Sequence, residues 1–108
     1  MSVDLILTFL EAKSVDTDAS ENTIKAYGTD LEKYFKWISS KKVSVLEAQL
    51  CLIEEYLVNL KDRGLSISSR ARHLSSIKQF YRFAVDDGWA KTNPAIQVSS
   101  PGKSKKLP

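Results

Sequence analysis

Two glycines, Gly64 and Gly88, enclose the stretch of this chain whose apolar residues are most regularly spaced. Within it, apolar side chains recur at steps of three and four residues, which is the spacing of one buried face of an α-helix. Either Ser66 or Ser68 can cap the start of such a helix, and Gly88 can end it in a left-handed conformation. The pattern predicts one long helix whose buried face consists of Leu74, Ile77, Tyr81, Ala84 and Val85.

The opposite side of this helix is polar. Its side chains are short or cationic, and most of them can donate hydrogen bonds, so this side suits an anionic partner. Because each residue turns the helix by about 100°, four residues gather there. They are Ser69, Arg72, Ser76 and Gln79.

Three further helical patterns precede this one. The first covers about Val3–Lys13, the second follows a Ser20 cap and ends near Ser39, and the third ends near Arg63. No alternating strand pattern is present, so the sequence predicts an all-α, compact four-helix bundle. The apolar residues expected to face its core are Leu5, Ile6, Phe9, Leu10, Ile24, Tyr27, Leu31, Tyr34, Phe35, Ile38, Leu50, Ile53, Leu57 and Leu60.

The end of the chain reads as a short helical turn followed by a tail. Asn93 can cap a turn over Pro94–Val98, with proline at its first position. Residues 99–108 hold two prolines, a glycine and three lysines, which predicts a flexible basic tail or interdomain linker. Phe83 falls on the polar side of the fourth helix; either Trp89 or the terminal turn covers it, or it docks a partner domain.

Length and composition limit the classes of protein to consider. A chain of 108 residues fits one domain, and no apolar run approaches the roughly 20 residues of a membrane span. One cysteine, Cys51, and one histidine, His73, give neither an internal disulfide nor a multi-ligand zinc site. We therefore expect an intracellular, cytoplasmic protein without a metal or cofactor.

The positive charge is concentrated towards the C-terminal end. Residues 64–108 carry eight basic and two acidic side chains, whereas residues 1–19 carry one basic and four acidic ones. Clustered positive charge beside a polar helix face is expected of a nucleic-acid-binding protein, although a merely solvated basic surface has the same composition. The outer face of the third helix carries Glu54, Glu55 and Asp62, which makes it an unfavourable surface for phosphates.

Three motifs, in order along the chain, resemble one protein family. Thr23, Tyr27, Asp30 and Leu31 fit the pattern Thr-x-x-x-Tyr-x-x-Asp-Leu, and residues 68–81 fit a second pattern of serines, an arginine, Leu-Ser and an aromatic residue. Residues 93–95, followed by a basic linker and a final Leu-Pro, form the third. Together they resemble the core-binding domain of tyrosine recombinases of the phage-integrase and Xer type, over essentially the whole chain.

The resemblance implies a SAM-like helical domain that forms half of a C-shaped clamp around duplex DNA. In such proteins the second and fourth helices cross and present their outer faces to the major groove. The family's catalytic residues lie in a further domain beyond the linker, and none of the four tyrosines here (Tyr27, Tyr34, Tyr56 and Tyr81) matches that motif. The resemblance thus implies a non-catalytic domain over residues 1–98, a linker over residues 99–108, and a sequence that is part of a longer recombinase.

The expected DNA contacts follow from this assignment. Arg72 is the strongest candidate because its planar guanidinium can grip a phosphate or read guanine from the early part of the fourth helix. Ser68 and Ser69 act either as caps or as contacts, and Thr23 either contacts DNA or bonds within the helix start. The full set is Asn22, Thr23, Lys25, Lys36, Ser68, Ser69, Arg72, Ser76, Lys78, Gln79 and Arg82.

The sequence is compatible with two functions and disfavours a third. The first is a DNA-binding module whose partners are double-stranded DNA, the catalytic domain of the same protein and other recombinase protomers on the DNA. The second is a helical SAM-like domain for protein–protein interaction or oligomerisation. An autonomous enzyme is disfavoured, because the sequence has no paired carboxylates, Ser/His/Asp set, glycine-rich loop or metal-binding pattern.

Overall fold

A computed structural model describes residues 2–16 and 20–100 of the chain. Four helices pack together: α1 (Ser2–Asp16), α2 (Glu21–Ser40), α3 (Leu50–Asp62) and α4 (Ile67–Asp86). A single 3-10 turn, Val45–Glu47, joins α2 to α3. Within the described residues there is no strand, so the predicted all-α bundle is confirmed, with α2 packed against both α1 and α4 and α3 packed against α4.

The helix ends form where the sequence places them. Ser20 Oγ accepts the Thr23 amide at the start of α2, and Ser66, rather than Ser68, caps α4 by accepting the Ser69 amide at 3.1 Å. Gly88 follows α4 with φ at +82°, a conformation that costs glycine little, and the next amide turns back to the Ala84 carbonyl. These caps fix the length of α4 and therefore the extent of its outer face.

Aromatic rings fill the space between α1 and the C-terminal half of α4. Phe80 is fully buried and contacts Phe9 and Phe35, with ring centroids 5.8 and 5.2 Å away. Phe83 lies between Phe9 and Trp89, with ring centroids 5.6 and 5.1 Å away. Trp89 therefore covers Phe83, which is one of the alternatives given above. We call Phe9, Phe35, Phe80, Phe83 and Trp89 the aromatic layer.

Buried hydroxyl groups connect the bundle to the 3-10 turn. Tyr81 Oη donates to the Val45 carbonyl at 2.6 Å. Since this uses the only proton of Tyr81, the Tyr34 hydroxyl 2.8 Å away is the donor in the second bond. The chain from Tyr34 through Tyr81 to Val45 satisfies two fully buried phenols, and burial raises the pKa of both well above the usual value.

Several predicted details are wrong. Leu50, expected to face the core, is 37% exposed because it is the first residue of α3 and lies at the edge of the buried seam; Tyr56 is fully buried in that seam instead. By contrast, residues 94–97 form a short turn as predicted: the Ile96 amide donates to the Asn93 carbonyl, and Asn93 Oδ1 accepts the Ala95 amide as a cap should. Val85 is only half-buried, since the buried arc of α4 extends towards His73 and Phe80.

Two further expectations concern the ends and the membrane. Most of the predicted linker, residues 101–108, lies outside the described residues. Among the helices that the structure describes, none combines the length and the apolar character needed to cross a bilayer.

Candidate nucleic-acid interface

The outer faces of α2 and α4 carry most of the residues predicted to contact DNA. On α2, Asn22, Thr23, Lys25 and Lys36 are all exposed. Thr23 is also engaged in the helix start, because its amide donates to Ser20 Oγ and its hydroxyl lies 3.1 Å from the same atom. Three α2 side chains are thus free to meet a partner, and Thr23 can do so only while it remains part of the cap.

On α4 the predicted residues differ in accessibility. Ser68, Arg72 and Arg82 are exposed, whereas Ser69, Lys78 and Gln79 are half-buried. Ser69 donates its amide to the Ser66 cap. Ser68 and Arg72 lie one turn apart on the side of α4 that faces away from the core, and Arg82 follows ten residues later on that side.

A buried carboxylate lies where α2 meets α4. Asp30 on α2 is fully buried and accepts three hydrogen bonds from α4. Arg72 donates from Nη2 to Oδ1 at 2.9 Å and from Nε to Oδ2 at 3.1 Å, and Ser76 Oγ donates to Oδ2 at 2.9 Å. The two parallel bonds from Arg72 are the bidentate geometry in which a guanidinium grips a carboxylate most strongly.

Arg72 occupies an intermediate position between core and solvent. Its side chain remains 54% exposed although two of its nitrogens are bound to a carboxylate that is wholly buried. The hydrogen bonds to Asp30, followed by the attraction of its charge, raise the pKa of Arg72. The guanidinium is therefore permanently charged, and its Nη1 end is left for another partner.

His73 completes this group of side chains. Its ring is buried, and Nε2 lies 3.5 Å from Asp30 Oδ1. Burial lowers the pKa of His73, and the positive charges of Arg72, Lys33 and Arg63 lower it further, against the opposing effect of Asp30. His73 is consequently neutral at pH 7. We call Asp30, Arg72, His73 and Ser76 the Asp30 cluster.

One predicted contact is corrected by this arrangement. The sequence predicts Ser76 on the exposed side of α4, but it is 1% exposed and its hydroxyl donates to Asp30. The reason is that α4 is enclosed on two sides, by α2 and by α3, so its buried arc is wider than the apolar residues alone indicate. Arg72 is exposed as predicted, but its Nε–Nη2 edge is already occupied.

Two residues outside the predicted set, Asp30 and Lys13, bind polar side chains of α4. Asp30 was recognised only as part of a motif, yet it lies three residues after Tyr27 and four before Tyr34, which places a carboxylate on an apolar stripe. That position is a signal of a buried, paired charge. Towards the C-terminal half of α4, Lys13 Nζ donates to Gln79 Oε1 at 3.0 Å, and both residues line a shallow groove of about 310 Å³ together with Arg82.

Comparisons with known proteins identify a family. Residues 6–88 match the family model described as phage integrase, N-terminal SAM-like domain. The chain is 38% identical over 100 residues to a tyrosine recombinase XerD of Caulobacter vibrioides, covering 93% of this chain and 33% of that protein. It is 32% identical over 108 residues to the XerD of Rhizobium meliloti, covering 100% and 35%, and 34% identical over 105 residues to that of Staphylococcus haemolyticus, covering 96% and 36%. The chain thus spans about a third of the length of these relatives, and no solved structure matches it.

Proposed function

Because this chain belongs to the family of phage integrase N-terminal SAM-like domains, we propose that it is the DNA-binding module of a tyrosine-type site-specific recombinase. In this proposal the outer faces of α2 and α4 clamp duplex DNA at the recombination core site. The chain itself binds and does not cut; strand cleavage belongs to a catalytic domain of the same protein, acting with other protomers on the DNA in the cytoplasm.

The observation that carries this proposal is the state of Arg72. A permanently charged guanidinium is held at the surface near the start of α4, half exposed, with its Nη1 end unused by Asp30. Such a group can donate to a phosphate oxygen or to a guanine edge. Exposed Ser68 lies one turn before it on the same face, and Lys25 and Asn22 are exposed on α2.

The remaining residues divide by chemistry. Lys25, Lys36, Lys78 and Arg82 are suited to phosphates, because long cationic side chains neutralise backbone charge without reading sequence. Asn22, Thr23, Ser68, Ser69 and Gln79 can exchange hydrogen bonds with phosphates or base edges. Ser76 is removed from the proposed contacts and acts through Asp30. With a handful of phosphates engaged, the isolated module should bind DNA weakly, in the ~10⁻⁴–10⁻⁶ M range of non-specific complexes.

Titration of the isotopically labelled chain with a short DNA duplex tests this proposal. Amide shifts should concentrate in residues 22–36 and 68–82 and should fade as salt is raised, since binding releases counterions. Arg72→Ala should weaken binding more than Lys61→Ala, a matched removal of one exposed positive charge on α3. Failure of the wild-type chain to bind duplex DNA at low salt would overturn the proposal.

The same titration addresses the protein-interaction alternative. α3 exposes Val58, 56% accessible, next to the acidic Glu54 and Glu55, which is a surface better suited to a protein than to DNA. Shifts confined to α3 that grow with protein concentration, and no response to DNA, would favour self-association as the primary function.

A further inference from the structure

The two partners of the Asp30–Arg72 contact differ in burial. The carboxylate is wholly buried, whereas the arginine that neutralises it is half exposed on the face proposed for DNA. An ion pair that only stabilises the fold could be buried completely. An arginine that only binds DNA would need no buried carboxylate as a partner. The geometry joins the two, because a rigid bidentate bond from the core fixes the orientation of a charged group at the surface.

We propose that Asp30 is a positioning residue for DNA recognition. It does not touch DNA; it holds the guanidinium plane of Arg72 so that Nη1 and the second hydrogen of Nη2 are presented to a phosphate or base edge. Ser76 assists by donating to the same carboxylate oxygen that accepts Arg72 Nε. This inference rests on the proposed function, since it concerns how that DNA-binding surface is organised.

The physical reason is preorganisation. A free arginine side chain must be ordered when it binds, and that ordering reduces the affinity. In this chain the ordering is completed on folding, because two bonds to a buried acceptor leave the guanidinium a single orientation. The buried negative charge has an opposing effect, as it reduces the positive potential that attracts DNA.

These two effects give opposite signs for one substitution. Asp30→Asn removes a negative charge and, by electrostatics alone, should strengthen binding to DNA. If Asp30 positions Arg72, the same substitution should weaken binding by about two- to tenfold, the range expected when one long side chain must be ordered on association. The matched control is Asp62→Asn, which changes the charge equally at an exposed residue of α3 and should bind as well as wild type or slightly better.

A double-mutant cycle shows whether Asp30 acts through Arg72. The affinity for a short fluorescent duplex would be measured for wild type, Asp30→Asn, Arg72→Ala and the double variant. In the Arg72→Ala background, Asp30→Asn should cause no further loss. Unchanged or tighter binding by Asp30→Asn alone, or an equal loss in both backgrounds, would overturn the inference.

Arg72→Lys keeps the test decisive should Asp30→Asn fold poorly. Lysine retains the charge but cannot form two parallel bonds to a carboxylate, so binding should fall although the number of positive charges is constant. Equal binding by Arg72→Lys and wild type would refute positioning. In nitrogen-15 spectra, the Nε–H signal of Arg72 should be protected from exchange in wild type and lose protection in Asp30→Asn while the backbone spectrum is retained. DNA binding that is weakened by Arg72→Ala but not by Asp30→Asn or Arg72→Lys would reject this inference and leave the proposed function standing.

Discussion

α4 is attached to the bundle in two different ways. Along its C-terminal half it packs through the aromatic layer, in which rings from α1, α2 and the segment after α4 meet edge to face. Along its N-terminal half it meets α2 through the Asp30 cluster, in which three donors converge on one carboxylate. The first contact is apolar, whereas the second consists of directional hydrogen bonds to a single acceptor.

On the proposed function, this difference separates stability and DNA recognition between the two halves of one helix. Edge-to-face ring contacts contribute mainly through the apolar area they bury, so they hold α4 in place without fixing any group at the surface. A buried carboxylate with charged donors adds little net stability, because removing charge from water opposes its attraction. It does impose a unique geometry, and the half of α4 that carries it is the half with Arg72.

The strongest test of this comparison is truncation of the aromatic layer. Phe80→Ala should reduce the free energy of unfolding by about 3–5 kcal/mol, because Phe80 is fully buried and its removal leaves a cavity among four rings. Chemical denaturation followed by circular dichroism measures this change. Phe83→Ala, at a half-buried ring of the same layer, is the matched control and should cost less.

The folded fraction of the Phe80→Ala protein should bind DNA as wild type does. A loss below about 1 kcal/mol would show that the layer is not the main source of stability. A large loss of DNA affinity per folded molecule would contradict the proposed separation of roles between the two halves of α4.

Removal of the carboxylate should have a smaller effect on stability. Asp30→Ala leaves Arg72 and the buried Ser76 hydroxyl without their acceptor, and we expect a loss of about 1–3 kcal/mol in the free energy of unfolding. The figure stays below that for a fully enclosed ion pair because half of the Arg72 side chain already lies in solvent and can turn outwards. Asp62→Ala, at an exposed carboxylate, should stay within about 0.5 kcal/mol of wild type.

This second variant sharpens the comparison when both properties are measured. Denaturation midpoints and duplex affinities together should place Phe80→Ala and Asp30→Ala in opposite order. The first should be the more damaging to stability and the second to binding. An identical order for both properties would mean that the Asp30 cluster acts only by holding the helix.

The sequence predicts the apolar half of α4 better than the polar half. Helical spacing identifies Leu74, Ile77, Tyr81 and Ala84 as core residues, because each belongs to a stripe in which every member has the same preference for burial. The same rule places Ser76 on the exposed side, because serine is a polar residue. The helical spacing of α4 does not show that a carboxylate from another helix binds its hydroxyl. Pairing across helices depends on the crossing of α2 and α4, which no single helix pattern contains.

The candidate site shows the same limit. Exposure of Asn22, Lys25, Ser68 and Arg72 follows from local periodicity, whereas the second role of Arg72 depends on Asp30, 42 residues earlier in the chain. Phe83 was ambiguous for a related reason: the turn after Gly88 determines that Trp89 covers it. The sequence indicates which residues are polar and exposed, but it does not show which of them meet across helices.

The smallest expected effect concerns the titration of His73. Burial lowers the pKa of His73 in the folded chain below its ordinary value of 6.5. As the pH falls, the unfolded chain therefore binds a proton at His73 before the folded chain does. Stability is therefore fully present above about pH 7 and declines as the pH decreases through 6.5, by at most ~0.7 kcal/mol between pH 7 and pH 6. Thermal denaturation at closely spaced pH values measures this slope.

The matched variant is His73→Asn, which keeps a polar side chain at this buried position but cannot titrate. Its absolute stability is not the readout; its stability should change less than that of wild type between pH 7 and pH 6, since His73 is the chain's single histidine. Asp30 faces the imidazole from α2 and favours its protonation, whereas Arg72, Lys33 and Arg63 oppose it. A wild-type stability that rises on acidification would mean that the attraction of Asp30 raises the pKa of His73 more than burial lowers it. His73 would then be protonated, not neutral, within the Asp30 cluster.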